Sequence, residues 1–209
     1  MKHLKKLGLA VIAATALMAF AGASSASATV LCSTTAEPCP AGQKWPAATS
    51  LDFSLESGTS LLWQDTAGNT LETCRAVTLS AEITEAGSST ATVKAKNKAL
   101  TWNECTWADK TVVLGGLEIH KISGTSNGTL TASEEISWTF DDGLGSCVYG
   151  WTAGNDIGTI TEGKPATLDL NSLIHKLSGS GVFCPETAKL IGSFTVTAPA
   201  STTLAVESS

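Results

Sequence analysis

The sequence is poor in charge, and positive charge is especially scarce. Charged residues make up 15% of the 209-residue chain, which has 13 lysines and arginines against 19 acids. Arg75 is the single arginine. Binding to nucleic acid or to an anionic membrane surface requires clustered basic residues that neutralise phosphates. We therefore expect neither nucleic acid nor an anionic membrane surface as a partner.

The chain also lacks long apolar runs outside its N-terminus, where the pattern is that of a secretory signal peptide. Met1–Lys6 carries three lysines and no acid, Leu7–Ala21 is apolar, and Ala26–Ala28 supplies the A-x-A cleavage pattern. The apolar run is shorter than the roughly 20 residues of a membrane-spanning helix. We predict that residues 1–28 are removed. Residues 29–209, with a formal charge of −9 and no membrane span, are then extracellular, either released or held at the cell envelope.

No two cysteines have the C-x₂₋₄-C spacing that a structural zinc site uses, and we expect no metal and no other cofactor. An even number of cysteines in an exported chain indicates a disulfide framework. Six cysteines allow fifteen pairings, among which the sequence alone does not decide. Our prediction is sequential pairing: Cys32 with Cys39, Cys74 with Cys105, and Cys147 with Cys184.

Helical periodicity is scarce, whereas alternation of apolar and polar residues recurs along the chain. Six segments alternate clearly: 51–55, 77–83, 91–95, 136–140, 166–170 and 194–198. A period of two places one face of a strand on a core and the other in water. Short strands separated by turn residues predict an antiparallel β-sandwich with an immunoglobulin-like or jelly-roll outline, stapled by disulfides.

One domain spanning residues 29–209 is the preferred organisation, because no proline-rich or charged linker interrupts the chain. A split near residues 108–111 is the alternative. It would keep every sequentially paired disulfide within its own half. Asn171-Ser172 also offers a cap for one short helix at 173–177, with Gly179 beyond its end.

Ser126 lies in G-T-S-N-G, which fits the G-x-S-x-G pattern of serine hydrolases. That pattern needs a strand before the serine and a helix after it. Here Asn127-Gly128 is followed by strand-like residues, and Asn-Gly between two such runs indicates a hairpin turn with positive φ at both positions. We therefore place Ser126 in a turn and keep an exported hydrolase only as a remote alternative.

His120 and His175 lie in near copies of one short motif, I-H-K-I/L-S-G. Two adjacent strands could bring their imidazoles together, but zinc needs three or four ligands. The interpretation we favour is two structural strand ends.

Two pairs of adjacent acids, Glu134-Glu135 and Asp141-Asp142, are poor candidates for a glycosidase. Adjacent strand residues point to opposite faces, so neither pair alone places two carboxylates across a cleft. The simpler interpretation of Asp141-Asp142, with Gly143, is a turn that closes the strand at 136–140.

Aromatic residues near two of the disulfides are the remaining candidates for a binding site. Trp102 and Trp107 flank Cys105, and Tyr149 and Trp151 follow Cys147. Aromatic rings beside disulfides often pack on the sulfur bridge in a core. If two or three of these rings instead line one exposed face, they form a platform on which sugars stack. Trp138, in an alternating segment, is expected in the core.

Six segments, in order, carry a resemblance to a known group of proteins. They are Cys147–Tyr149, Ile157–Thr161, Ala166–Leu170, Cys184, Phe194–Pro199 and Leu204–Val206. In this order the chain resembles secreted, disulfide-containing proteins of high-GC Gram-positive (actinobacterial) bacteria. The resemblance implies export and an all-β body. It implies no catalytic or binding residue, since the group has no assigned activity.

These observations predict a secreted, non-catalytic binding or structural module. Its expected partner is an extracellular protein or a polysaccharide. A carbohydrate-binding module that uses exposed tryptophans is the alternative.

Overall fold

The computed structural model describes residues 28–107, 110–141, 145–181, 184–199 and 202–209. The predicted signal peptide, apart from Ala28, lies outside the described residues. Within them the chain is almost entirely strand, as the alternation predicts, and the helical part is a single 3-10 turn at Ala41–Gln43. The strands are β1 Val30–Cys32, β2 Ser50–Leu55, β3 Leu61–Asp65, β4 Thr70–Ser88, β5 Ala91–Cys105, β6 Lys110–Val113, β7 Gly116–Lys121, β8 Gly128–Ala132, β9 Ile136–Asp141, β10 Ser146–Trp151, β11 Asp156–Thr161, β12 Thr167–Ser180, β13 Thr187–Ala198 and β14 Ala205–Glu207.

Eight strand positions follow one another around a closed antiparallel barrel. Four positions are the long strands β4, β5, β12 and β13. Each of the other four is shared by two short strands that follow one another in the chain: β2 with β3, β6 with β7, β8 with β9, and β10 with β11. The ring closes because β13 pairs with both β2 and β3, and these two strands pair with β4 on their other side.

The breaks in the four shared positions divide the barrel into a lower half and an upper half. The lower half contains β2, β7, β8 and β11, and its ring of eight strands is joined by ladders all the way round. The upper half contains β3, β6, β9 and β10, joined to the other ends of the long strands. The buried apolar side chains of both halves belong to one continuous core.

A two-stranded ribbon, β1 with β14, covers the lower end of the barrel. Val206 of the ribbon donates a backbone hydrogen bond to Ser126 in the β7–β8 loop, and Leu204 bonds to Gly163 between β11 and β12. Gly87 in β4 permits this close approach, since a Cβ there would lie 1.8 Å from the carbonyl oxygen of Thr29. The ribbon therefore packs against the lower end of the barrel, where it contacts β4, the β7–β8 loop and the β11–β12 connection.

The three disulfides pair sequentially, which confirms the prediction. Cys32 bonds to Cys39, Cys74 to Cys105, and Cys147 to Cys184. Cys74 and Cys105 stand directly opposite each other on β4 and β5, so this bridge ties the two longest strands together at the upper end. The Cys32–Cys39 bridge anchors the ribbon to the segment that leads into the barrel.

The all-β, antiparallel and disulfide-stapled character is confirmed, but the strands form a closed barrel where we predicted two stacked sheets. Alternation buries one face of a strand equally well in both architectures, so it does not distinguish them. The short helix expected at 173–177 is wrong, because these residues are part of β12. Among the described residues, none belongs to a helix with the length and apolar character needed to cross a membrane.

Candidate binding cavity

An apolar cavity of about 40 Å³ lies inside the barrel where the lower and upper halves meet. Aliphatic side chains from strands all round the barrel form most of its lining, among them Leu61, Val77, Leu79, Leu117, Leu130 and Leu168. The cavity exceeds the roughly 10–15 Å³ that one water molecule needs, and apolar cavities of this kind stay dry. It is smaller than the roughly 150 Å³ of an apolar cavity that takes up benzene.

A β-bulge in β5 places polar and apolar side chains side by side in this lining. Ala81 pairs with Asn97 and Ser80 pairs with Ala99, so Lys98 is the extra residue. Before the bulge, the odd-numbered residues of β5 face inward and end with Asn97. After it, the even-numbered Leu100 and Trp102 face inward. Bulges commonly re-aim a side chain in this way.

Asn97 holds the junction at which β6 and β7 meet. Its backbone N–H donates to the carbonyl oxygen of Gly115, at 3.2 Å, and its Nδ2 donates to the carbonyl oxygen of Leu114. The side chain is 3% exposed. Asn97 is also the one residue of the cavity lining that carries an amide side chain.

The ladder between β5 and β7 ends at the Lys96–Gly116 pair, next to Asn97. Beyond it, β5 pairs with β4 on one side and, among the described residues, forms no ladder with β6 on the other. Leu79, Leu100 and Trp102 line the cavity from β4 and β5 and are partly exposed to solvent.

Aromatic rings from β3, β5, β9 and β10 form a roof over the cavity. Trp138 is fully buried, and its ring centroid lies 5.2 Å from that of Trp102 and 5.1 Å from that of Trp151. Trp63 continues the cluster, with its ring centroid 6.3 Å from that of Trp138. Trp151 Nε1 donates to Ser172 Oγ at 3.0 Å, so the indole N–H is satisfied within the wall. The expected core position of Trp138 is confirmed.

The four aromatic residues singled out in the sequence do not share one face. Trp102 and Trp151 line the cavity, and Tyr149 is fully buried beside Trp63, with ring centroids 4.6 Å apart. Trp107 is the exposed member, at 41%. Among these four residues, Trp107 is therefore the one exposed ring that is available to stack on a sugar.

Tyr149 is held in the interior by both packing and a hydrogen bond. Its hydroxyl donates to the carbonyl oxygen of Pro185 at 2.5 Å. Burial, and then the negative charge of Glu186, raise the pKa of Tyr149 well above its ordinary value. The phenol is therefore neutral in the folded protein throughout the ordinary pH range.

Ser126 lies in the loop between β7 and β8, and the element that follows it is strand β8, as the turn interpretation predicts. The turn differs in detail from the expected one. Positive φ occurs at Gly124, and Gly128 already begins β8. A longer loop thus replaces the two-residue Asn127-Gly128 turn.

The two histidines lie on strands of the outer wall and are kept apart. His120 is on β7 and His175 on β12, with β8 and β11 between them, which corresponds to about 14 Å across the sheet. His120 Nε2 lies 3.2 Å from Thr131 Oγ1 and 3.6 Å from Glu118 Oε2. Both histidines are strand residues, as predicted, although the first copy of the motif leaves β7 after Lys121 and the second lies wholly in β12.

The adjacent acids Glu134 and Glu135 are exposed between β8 and β9, where Ser137 Oγ donates to Glu135 Oε1 at 2.9 Å. Asp141 ends β9, and Asp142 lies outside the described residues.

A cluster of Glu72, Cys74 and Cys105 has the spacing of a metal site. Both of its sulfur atoms form the Cys74–Cys105 disulfide. Glu72 Oε1 accepts a hydrogen bond from the backbone N–H of Trp107 at 3.0 Å. The cluster is therefore structural.

Sequence reasoning overlooked Asn97, the polar residue of the cavity. One signal was present, because Asn97 follows Val93 and Ala95 at the same alternating positions of a strand. A polar residue at an inward position of this kind needs a hydrogen-bond partner in the interior. The bulge that follows it has no comparable signature in the sequence.

Comparison of the chain with protein-family models, with curated proteins and with solved structures gives no match.

Proposed function

We propose that the protein is an exported, non-catalytic binding protein that holds one small apolar molecule inside its barrel. The observation that carries the proposal is the apolar cavity inside the barrel. An eight-stranded barrel has an interior wide enough either to be filled by side chains or to hold one small ligand.

Export is supported by two independent features. The N-terminal sequence has the basic, apolar and small-residue parts of a signal peptide. Three disulfides cross-link the folded chain, and such bonds persist in oxidising compartments.

The lining favours an apolar ligand, and the volume of the cavity limits the size of that ligand. Removal of apolar surface from water contributes roughly 25 cal/mol per Å², and almost every side chain in the lining is apolar. A ligand larger than about 40 Å³ must displace a side chain. Leu100 is the lining side chain we choose to vary, because it is partly exposed to solvent.

Binding of cyclopentane, followed by the fluorescence of the lining tryptophans, tests this proposal. Leu100→Ala enlarges the cavity and should tighten binding, whereas Leu100→Phe fills it and should weaken binding. Leu173→Ala is the matched control, since Leu173 is 53% exposed on the outside of β12. Equal affinities in all four proteins, or no saturable binding in any of them, would overturn the proposal.

A further inference from the structure

The wall of the barrel has a break where β10 ends and β11 begins. On β12, the ladder to β11 ends at Leu170 and the ladder to β10 starts at His175. Among the described residues, the intervening stretch 171–174 has ladder partners on its β13 side alone. The loop between β10 and β11 turns away from β12 here, since the backbone N–H of Gly154 donates to the carbonyl oxygen of Ala132 at the end of β8. Side chains therefore close this part of the wall.

Two buried side chains lie at the break and line the apolar cavity. Trp151 and Ile157 are 5% and 4% exposed, and both belong to the lining. Trp151 reaches along β12, where its Nε1 donates to Ser172 Oγ at 3.0 Å. Ile157 is the extra residue of a bulge between Asp156 and Gly158 in the ladder of β11 with β8. Trp151 is thus held by a hydrogen bond, whereas Ile157 can rotate without the loss of one.

An open groove of about 570 Å³ lies on the outside of the barrel over the same break. Its lining includes Ser172 and Leu173 from β12 and the first residues of β11. Ile157 lines both this groove and the cavity, and among the described residues it is the one that the two linings share. The groove and the apolar interior are therefore separated by the thickness of one residue.

A second outer groove provides the comparison. It has nearly the same volume, about 540 Å³, and its lining includes Thr84 on β4 and Glu118 on β7. None of the described residues in its lining also lines the cavity. Close approach to the interior therefore distinguishes the groove over the β10–β11 break from this second groove.

Given the proposed function, we infer that the ligand enters and leaves the cavity through the groove over the β10–β11 break, with Ile157 as the gate. Passage through a paired part of the wall would break backbone hydrogen bonds in an apolar surrounding, which costs free energy. Passage at the break requires the Ile157 side chain to leave its packed position. The lining of the cavity thus determines affinity, and Ile157 determines the rate of exchange.

The association rate of cyclopentane, measured by NMR exchange at the methyl groups of the cavity, tests the gate. Ile157→Val removes one methyl group and should raise this rate about fivefold, a factor that corresponds to about 1 kcal/mol of lost packing. A larger cavity alone would act mainly on the dissociation rate. Ile160→Val is the matched control, because Ile160 is fully buried on the same strand and lies outside the cavity lining. An association rate that is unchanged in Ile157→Val, or raised equally in Ile160→Val, would contradict the inference.

A block placed in the groove tests the route. All six cysteines form disulfides, so Leu173→Cys provides a single thiol in the groove for a bulky maleimide label. The label should slow association and dissociation by the same factor and leave the affinity unchanged, because it obstructs the route without altering the bound state. The same label on Thr84→Cys, in the second groove, should change neither rate. Equal rates with the two labels would overturn the inference and leave the proposed function standing, whereas absence of saturable binding in the original protein would overturn both.

Discussion

Lys121 Nζ lies 2.9 Å from Glu207 Oε2, and their side chains are 6% and 0% exposed. Lys121 belongs to β7 of the barrel and Glu207 to β14 of the ribbon. Lys121 Nζ also donates to the carbonyl oxygen of Thr125 in the adjoining loop. One buried ion pair thus joins the covering ribbon to the lower end of the barrel.

Lys121→Met should destabilise the protein by about 3 to 5 kcal/mol, because it leaves the buried Glu207 carboxylate without its cation. The double variant Lys121→Met/Glu207→Leu should recover much of this loss, since an apolar pair removes the unpaired charge. Urea unfolding monitored by tryptophan fluorescence measures both changes.

Glu37→Gln is the control for this pair. Glu37 Oε1 also lies near Lys121 Nζ, at 3.4 Å, but its side chain is 50% exposed. Exposed ion pairs contribute little, so the change should have a much smaller effect than Lys121→Met. Similar losses of stability in Lys121→Met and Glu37→Gln would show that burial does not determine the contribution of an ion pair here.

Removal of each disulfide should destabilise the protein in the order of the loops that they close. The sequence separations are 7 for Cys32–Cys39, 31 for Cys74–Cys105 and 37 for Cys147–Cys184. The chain-entropy relation gives about 2.5, 3.7 and 3.9 kcal/mol respectively. Urea unfolding of the three double cysteine-to-alanine variants checks the order. A larger loss for the shortest loop than for both long ones would contradict this account.

Tyr149 should make stability fall as the pH rises above 10. An exposed tyrosine in the unfolded chain ionises near pH 10, whereas burial raises the pKa of Tyr149 in the folded protein. Above pH 10 the unfolded state therefore binds fewer protons than the folded state. The contribution of Tyr149 to stability is fully present below pH 10 and is progressively lost above it.

Tyr149 is the only tyrosine in the sequence, so the absorbance of tyrosinate reports on it directly. The absorbance should rise only together with unfolding. Tyr149→Phe should lose about 1 kcal/mol at neutral pH through its bond to Pro185, and it should depend less on pH above 10. Tyrosinate that forms near pH 10 in the folded protein would contradict the burial argument.

Trp138 and Trp107 should differ sharply in how much they contribute to the stability of the folded protein. Trp138→Ala removes a fully buried ring from the aromatic roof and should cost about 3 to 5 kcal/mol. Trp107→Ala removes a ring that is 41% exposed and should cost about 1 kcal/mol or less. Retention on insoluble polysaccharide should be the same with and without Trp107. A clear drop in retention in Trp107→Ala would favour the carbohydrate-binding alternative instead.

The strands could be predicted from sequence because alternation is a local property. Side chains alternate between the two faces of a strand, so Phe53 and Val196 face the core while the residues next to them point to the other face. Barrel closure is not local, since it rests on pairs such as Phe53 with Val196, which are distant in the chain. Nothing near either residue indicates its partner. The helix expected at 173–177 failed for a related reason, because pairing of β12 with β13 and β10 outweighs a short helical capping pattern.

The candidate site was predictable in part. Trp102 and Trp151 drew notice because they lie near cysteines, and both line the cavity. The inward orientation of Trp102 depends on the bulge at Lys98, which the sequence does not mark, whereas Trp151 follows Cys147 and Tyr149 in the regular alternation of β10. The site therefore depends on irregularities of the barrel that regular alternation does not encode.

The most direct test of an occupied barrel interior is a methyl ¹H–¹³C NMR titration with cyclopentane. The account predicts saturable shifts confined to methyl groups that line the cavity, those of Val77, Leu79, Leu100 and Leu117, with none at the exposed Leu173. Shifts that do not saturate, or that appear at Leu173 and leave the cavity methyls unchanged, would contradict it.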